Sequence, residues 1–213
     1  FVKLGGFGKF NHERELAPIE KQAVIRLNRD TLYSWGVFDL VASSLTVTLP
    51  DTGKRYMALQ VVNADHYTAG VFYAPGTYTL IREDVGTRYV CLIIRTFANP
   101  NDPADVKTVH ALQDSITVTQ QAVGQFEPET WDPESLTAVR EALLNLVNAN
   151  GGMNSSRMFG REDEVEPTQH LLGTAAGWGG NPRTAALYEG YEPGTNDGKT
   201  AYKLTIKDVP VDG

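Results

Sequence analysis

The stretch TRYVCLIIRTF, residues 87–97, decides the fold that we predict for this chain. Its centre, residues 89–94, is a nearly continuous apolar run. A strand with one exposed face alternates apolar and polar residues, whereas such a run is typical of a central strand that is covered on both faces. The run therefore predicts a layered fold with this strand inside a sheet.

The residues before this strand predict a meander of shorter strands at 24–27, 31–40, 44–49, 55–62, 67–73 and 77–81. Two of them alternate clearly, with Leu45, Val47 and Leu49 on one face of the first and Met57, Leu59 and Val61 on one face of the second. Asp51–Lys54 predicts a hairpin turn between them, and Pro75-Gly76 predicts another turn. Together these signals predict a mainly β fold with inserted helices (α+β), an antiparallel β-sandwich or jelly-roll-like domain followed by a helical segment.

Helix signals begin after the long apolar strand. Asp102 and Asp132 can each cap a helix, and each is followed by a proline, which suits the first helical position. We therefore expect one helix from Pro103 to about Asp114 and another from Pro133 to about Asn148. The apolar stripe of the second helix consists of Leu136, Val139, Leu143, Leu146 and Val147. A third helix is predicted over 167–177. We therefore expect a β domain at 1–120, a helical linking segment at 121–195, and at 196–213 the first strand of a second, incomplete β domain, because residues 199–207 alternate.

Composition excludes several classes of protein. The 213 residues carry 26 acidic and 19 basic side chains, a net charge of −7, which disfavours nucleic acid and anionic membranes as partners. No apolar run approaches the roughly 18 residues of a membrane span. The single cysteine, Cys91, excludes an internal disulfide scaffold, and the four histidines show no local metal-ligand spacing. We predict no metal and no cofactor, and the sequence leaves the cellular compartment open.

The first polar cluster that could carry chemistry stands where the strand at 31–40 begins. It places Arg26, Asn28, Arg29, Asp30 and Tyr33 close together in the sequence. These side chains would provide hydrogen-bond donors and a carboxylate to a ligand, with Asp30 as a candidate acid or base. The alternative is structural, since buried polar groups mostly satisfy loop amides and ion pairs.

A second cluster, Asp65, His66 and Tyr67, lies between two strands. A carboxylate beside an imidazole can tune a general base, so Asp65 and His66 are catalytic candidates and Tyr67 a binding candidate. Adjacent strand residues point to opposite faces, so Asp65 and His66 need a turn in order to cooperate. Polar residues that simply cap such a turn are the structural alternative.

A third cluster is Gly177-Trp178-Gly179-Gly180-Asn181-Pro182. A tryptophan among glycines suggests either a packed loop or a stacking platform for a sugar or another flat ligand. Trp178 and Asn181 are therefore binding candidates, with burial of the tryptophan in a packed loop as the alternative.

Several separated motifs resemble one bacterial family. The motifs VIRLNRDTLYSWGVFDL, LTVTLPDTGKRYMALQVVNADHYTAGVFY and TRYVCLIIRTFANPNDPADVKTVHALQDSI occur in order, and they resemble domain of unknown function 1254 across roughly residues 4–120. The later stretch to NDGKTAYKLTIKDVPVDG resembles the segment that joins this domain to its usual partner, domain of unknown function 1214. The resemblance implies a β-rich, jelly-roll-like fold and a chain that lacks most of its second domain. It implies no reaction.

Three hypotheses of function follow. The first is a β-sandwich module that binds a small molecule or a carbohydrate. The second is a hydrolase or lyase in which Asp30, Asp65 and His66 act as acid and base, which requires the first two clusters to line one cleft. The third is a structural or assembly protein. An incomplete sandwich leaves an edge or an apolar face uncovered, and a second copy of the chain could cover it in a homo-oligomer.

Overall fold

The computed structural model describes residues 1–18, 28–150, 152, 154–188 and 193–207. Its eight strands are β1 Asn11–His12, β2 Thr31–Asp39, β3 Leu45–Leu49, β4 Met57–Asn63, β5 Thr68–Tyr73, β6 Gly76–Leu80, β7 Tyr89–Phe97 and β8 Thr117–Gln120. They form two antiparallel sheets, one with the order β1-β2-β7-β4-β5 and one with the order β6-β3-β8. This confirms the predicted mainly β fold of the α+β class, whereas its jelly-roll variant finds no support. The strand predicted at 24–27 lies outside the described residues.

Strand β7 is the middle strand of the five-stranded sheet, as the apolar run predicts. It pairs with β2 on one side and with β4 on the other. Consecutive residues from Leu92 to Thr96 are all buried, so side chains on both faces of the strand are covered. One face contacts the three-stranded sheet, and we call the opposite face of the five-stranded sheet its outer face.

The main core lies between the two sheets. Its buried members from the five-stranded sheet include Phe38, Met57, Leu59, Val61, Val90, Leu92 and Ile94, and those from the three-stranded sheet include Leu45, Val47, Leu49 and Leu80. The two predicted apolar faces therefore meet across this core, as two stacked sheets require. This packing leaves the alternate residues of β2, β4 and β7 on the outer face.

The turn predicted at Asp51–Lys54 is real, but it does not close a hairpin. Gly53 has φ 61°, and the Arg55 amide donates to the Thr52 carbonyl at 3.1 Å. The strands on either side, β3 and β4, belong to different sheets, so the hairpin prediction is wrong. The two strands instead turn their apolar faces toward the same core from opposite sides, so the connection crosses from one sheet to the other.

The helices begin where the capping residues predict. Helix α2, Pro103–Asp114, follows the cap Asp102, and α3, Pro133–Ala149, follows the cap Asp132. The short α1 is Arg82–Val85, α4 is Ser155–Met158 and α5 is Pro167–Ala176. In α2 and α3 the aspartate accepts from backbone amides of the first turn, which fixes the start of the helix.

Helices α3, α4 and α5 form a separate small core from Val147, Met158, Phe159, Leu172 and Ala176. The predicted stripe of α3 is only partly buried there. Val147 is buried and Leu143 packs against this core, but Leu136, Val139 and Leu146 are exposed, because only the C-terminal part of α3 meets other helices. Residues 199–207 are exposed and pair with none of the described strands, so the predicted second β domain and the predicted domain boundaries remain predictions.

Candidate functional site

The turn between β4 and β5 presents His66 in an unusual backbone conformation. His66 has φ 70°, a conformation that few residues other than glycine adopt. Asn63 stabilises the turn, since its side-chain oxygen accepts from the Asp65 amide at 3.1 Å and from the Tyr67 amide at 2.9 Å. The turn directs the His66 side chain into the protein, where the residue is 6% exposed, while Asp65 remains exposed.

Both ring nitrogens of His66 are hydrogen-bonded. The Gly179 amide donates to Nε2 at 2.8 Å, so Nε2 carries no proton. Nδ1 therefore carries the proton and donates to the Thr174 hydroxyl at 2.8 Å, and that hydroxyl donates to the His170 carbonyl at 2.9 Å. His66 is thus a neutral ring in one defined tautomer.

The pKa of His66 agrees with this assignment. Burial, followed by the neighbouring His170, lowers the pKa of His66 from 6.5 to about 4. The ring is consequently uncharged at neutral pH. A general base would need a free nitrogen facing a substrate, and neither nitrogen of His66 is free.

His170 ties helix α5 to the same turn. Its Nδ1 lies 2.9 Å from the Met158 carbonyl and its Nε2 lies 3.0 Å from the Asp65 carbonyl. The ring stacks on Tyr67 at 4.1 Å between centroids. The helical segment is therefore fastened to the β4–β5 turn through polar and aromatic contacts.

Aromatic contacts continue from this turn across the outer face. His66 lies 5.4 Å from the Trp178 ring, and Trp178 lies 5.0 Å from the Phe1 ring. Phe1 in turn contacts Trp35 of β2 at 5.0 Å. Trp178 is half-buried within this series, as the packed-loop interpretation expects.

The glycine loop, residues 177–182, is held on the outer face by two side chains of the sheet. Gln60 of β4 donates to the Gly180 carbonyl at 2.8 Å, and Arg95 of β7 donates to the Gly179 carbonyl at 3.1 Å. Arg95 also donates to the Gln60 side-chain oxygen at 2.8 Å. Gly180 packs so closely that a Cβ there would lie 2.4 Å from the Phe159 ring.

Arg95 and four tyrosines form a group beside this loop, which we call the tyrosine patch: Tyr33, Tyr56, Tyr73, Tyr188 and Arg95. The pairing of β2, β7, β4 and β5 places Tyr33, Arg95 and Tyr73 in one row across the sheet, with the small Ala58 between the last two. Directly opposite residues of an antiparallel pair share a face, so this row lies on the outer face.

The remaining tyrosines complete the patch. Tyr56 contacts Tyr73 at 6.2 Å between ring centroids, and the Tyr188 hydroxyl accepts from the backbone and side-chain amides of Asn181. Burial raises the pKa of Tyr56 above its usual value. Arg95 has a smaller, lowering effect on this pKa, and the other three tyrosines have smaller, raising effects. Tyr56 is thus near enough to the other four groups to interact with each of them electrostatically.

Arg95 is the unusual member of the patch because it is 8% exposed and has no acidic partner among the residues that the structure describes. Its guanidinium lies 5.7 Å from the centroid of the Tyr33 ring, and its hydrogen bonds go to the neutral oxygens of Gln60 and Gly179. Within the described ranges, no ion pair includes Arg95. Buried charges in proteins are usually paired.

The structure separates the residues predicted from the first and second clusters. Thr31, which follows Asp30, pairs with Phe97, whereas Asn63 at the β4–β5 turn pairs with Val90. At roughly 3.3 Å per residue, the two positions on β7 are about 23 Å apart. Asp30 therefore stands at one end of the sheet and Asp65 with His66 at the other, so the structure does not form the predicted acid–base constellation.

The predicted binding residues divide in the same way. Tyr33 belongs to the tyrosine patch, and Asn181 adjoins it through its hydrogen bond to Tyr188. Tyr67 and Trp178 instead pack around the β4–β5 turn. Asn28 and Arg29 are exposed before β2. Arg26 lies outside the described residues.

Sequence reasoning missed Arg95, Gln60, Tyr56, Tyr73 and Tyr188. Arg95 ends an otherwise apolar run, and a charged residue in a strand that is covered on both faces is a signal that could have been noticed. Gln60 likewise interrupts the apolar strand β4. The tyrosines carry no such signal, because aromatic residues are common in strands and only the pairing of strands brings them together.

Among the residues that the structure describes, no group of three or more His, Cys, Asp or Glu side chains could hold a metal ion. The described helices also include none that is both long and apolar enough to cross a membrane.

The architecture defines the class as an α+β protein with two packed antiparallel sheets. Residues 7–120 match the family described as "Protein of unknown function (DUF1254)", and the chain belongs to this family. The VPA0106 protein from Vibrio parahaemolyticus has a similar solved structure, with 18% sequence identity and a TM-score of 0.60. The match covers 73% of this chain but 58% of that protein, and at this identity it shows the fold alone. A search of the curated proteins found no match.

Proposed function

We propose that this domain binds a small polar molecule, specifically a carbohydrate, on the tyrosine patch. The observation that carries the proposal is the row formed by Tyr33, Arg95 and Tyr73 on the outer face, with Tyr56 and Tyr188 beside it. Aromatic rings offer apolar faces to the C–H groups of a sugar, and their hydroxyls, with a guanidinium, offer hydrogen bonds to its oxygens.

The exposure of the patch supports a binding role. Tyr56, Tyr73 and Tyr188 are each about half exposed, so their rings are available to a ligand, while their buried halves are fixed by packing. A rigid aromatic side chain loses little conformational entropy when it binds, and this favours a tyrosine surface as a recognition site.

The acid–base alternative gains no supporting observation. It needs Asp30, Asp65 and His66 in one cleft, and these residues lie at opposite ends of the sheet, with both nitrogens of His66 hydrogen-bonded inside the protein. Within the described part of the chain, no contact favours the assembly alternative either.

The test is isothermal titration of the protein with neutral and acidic mono- and oligosaccharides, combined with the variant Tyr73→Ala. We expect binding that Tyr73→Ala weakens by several-fold to about tenfold, the effect of losing one aromatic contact. Tyr202→Ala, which removes an exposed tyrosine whose only described contact is with Thr195, is the matched control and should bind normally. Absence of binding to every sugar in the panel would contradict the proposal.

A further inference from the structure

We infer that the ligand of the tyrosine patch carries a carboxylate that Arg95 binds, so that uronic acids are the preferred class of sugar. This inference rests on the proposed function and specifies its ligand. The observation that carries it is an almost completely buried arginine whose guanidinium makes, within the described ranges, two hydrogen bonds to neutral oxygens and no ion pair.

The hydrogen bonds of Arg95 leave donors unused. A guanidinium has five N–H groups, and those of Arg95 make one bond to Gln60 and one to Gly179. The other three N–H groups have no acceptor among the residues that the structure describes. A planar carboxylate can accept two parallel hydrogen bonds from such a fork, a geometry that a neutral hydroxyl cannot reproduce.

The electrostatics of the patch favour an anion. A guanidinium is a permanent cation in proteins, and within the described ranges no carboxylate forms an ion pair with that of Arg95. Asp30, the exposed acidic residue just before β2 at this end of the sheet, makes no ion pair with Arg95. A bound carboxylate would supply the missing counter-charge in a site that is partly shielded from water, where ion pairing is stronger than at an open surface.

The test compares trigalacturonic acid with its fully methyl-esterified form, which keeps the sugar rings and their hydroxyls but has no negative charge. Titrations with the unaltered protein at pH 7 and low salt should show at least tenfold tighter binding of the acid, and added NaCl should reduce this difference. Arg95→Gln should bring the two ligands to similar affinity. Arg82→Gln, which removes an exposed cation on α1, is the control and should leave the difference unchanged.

The outcomes separate the two proposals. If the ester binds as tightly as the acid, the carboxylate inference is wrong and the proposed carbohydrate site stands. If neither these two ligands nor any neutral sugar binds, both proposals are wrong. Should Arg95→Gln fail to fold, the comparison of acid and ester with the unaltered protein still decides the question.

Discussion

The Gly179 amide donates a hydrogen bond of 2.8 Å to Nε2 of His66, across 113 positions of sequence. This bond joins the β4–β5 turn to the glycine loop and fixes the tautomer of the ring. It also places the loop over the outer face, beside the row that contains Arg95. The histidine that the sequence offers as a base is therefore a positioning residue for the loop next to the candidate binding surface.

His66→Asn should destabilise the protein by about 1–3 kcal/mol, because it removes the acceptor for the buried Gly179 amide and the donor to Thr174. Asparagine tolerates the positive φ of this position, so the variant tests the ring and not the backbone. Urea unfolding followed by fluorescence measures the loss. Asp65→Asn, a change at an exposed neighbour, should shift the free energy by less than about 0.5 kcal/mol. Equal effects of the two variants would contradict the role of His66.

The free energy of unfolding should fall as the pH decreases from about 6.5 to about 4. In this window the unfolded chain protonates His66, whose ordinary pKa is 6.5, while the folded protein resists protonation because its pKa is about 4. The unfolded state binds more protons, so stability decreases by up to about 3 kcal/mol and this contribution levels off below pH 4. Urea unfolding at several pH values measures the slope.

The matched comparison for this pH effect is His66→Asn, which removes the titrating group. The difference in stability between the unaltered protein and the variant should shrink as the pH falls through the window. His12 and the carboxylates titrate in both proteins and cancel in the difference. A difference that does not change with pH would show that His66 is not the group responsible.

Gly180→Ala should release the glycine loop from the sheet. The added Cβ would lie 2.4 Å from the Phe159 ring, a distance that the packed loop cannot accommodate without moving. We expect a loss of about 1–3 kcal/mol and faster amide hydrogen exchange at Gly179. Gly194→Ala is the control, because a Cβ there meets no atom within 4 Å. Unchanged exchange at Gly179 in the first variant would contradict the packing described.

Asp39→Asn should destabilise the protein more than Glu127→Gln, although Arg88 bonds to both carboxylates. Burial raises the pKa of Asp39, but hydrogen bonds from Arg88 and from the Val41 amide outweigh it and keep the pKa below its usual value. The side chain of Asp39 is buried, so we expect Asp39→Asn to lower the free energy of unfolding by about 2–4 kcal/mol. The side chain of Glu127 is exposed, so we expect Glu127→Gln to lower it by under about 1 kcal/mol. Thermal and urea unfolding of both variants measure the difference. Similar losses would show that burial of Asp39 does not strengthen this pair.

Local signals determined much of the secondary structure. The Asp-Pro pairs at 102–103 and 132–133 set the starts of α2 and α3, since a capping carboxylate and a fixed φ act within a few residues. The apolar run of β7 similarly revealed a strand covered on both faces. The Asp51–Lys54 turn shows the limit of such signals, because its residues specify a reversal of the chain but not which sheet the next strand joins.

The sequence by itself determined strands β2 to β7, the starts of α2 and α3 and the mainly β class, because these depend on periodicity and capping between near neighbours. Only the tertiary structure decided which polar residues meet. It placed Asp30 and His66 at opposite ends of one sheet, and it joined Tyr33, Arg95 and Tyr73 in a row from three strands. The physical reason is that strand order and register are set by burial of the whole core, and no short stretch of sequence contains that information.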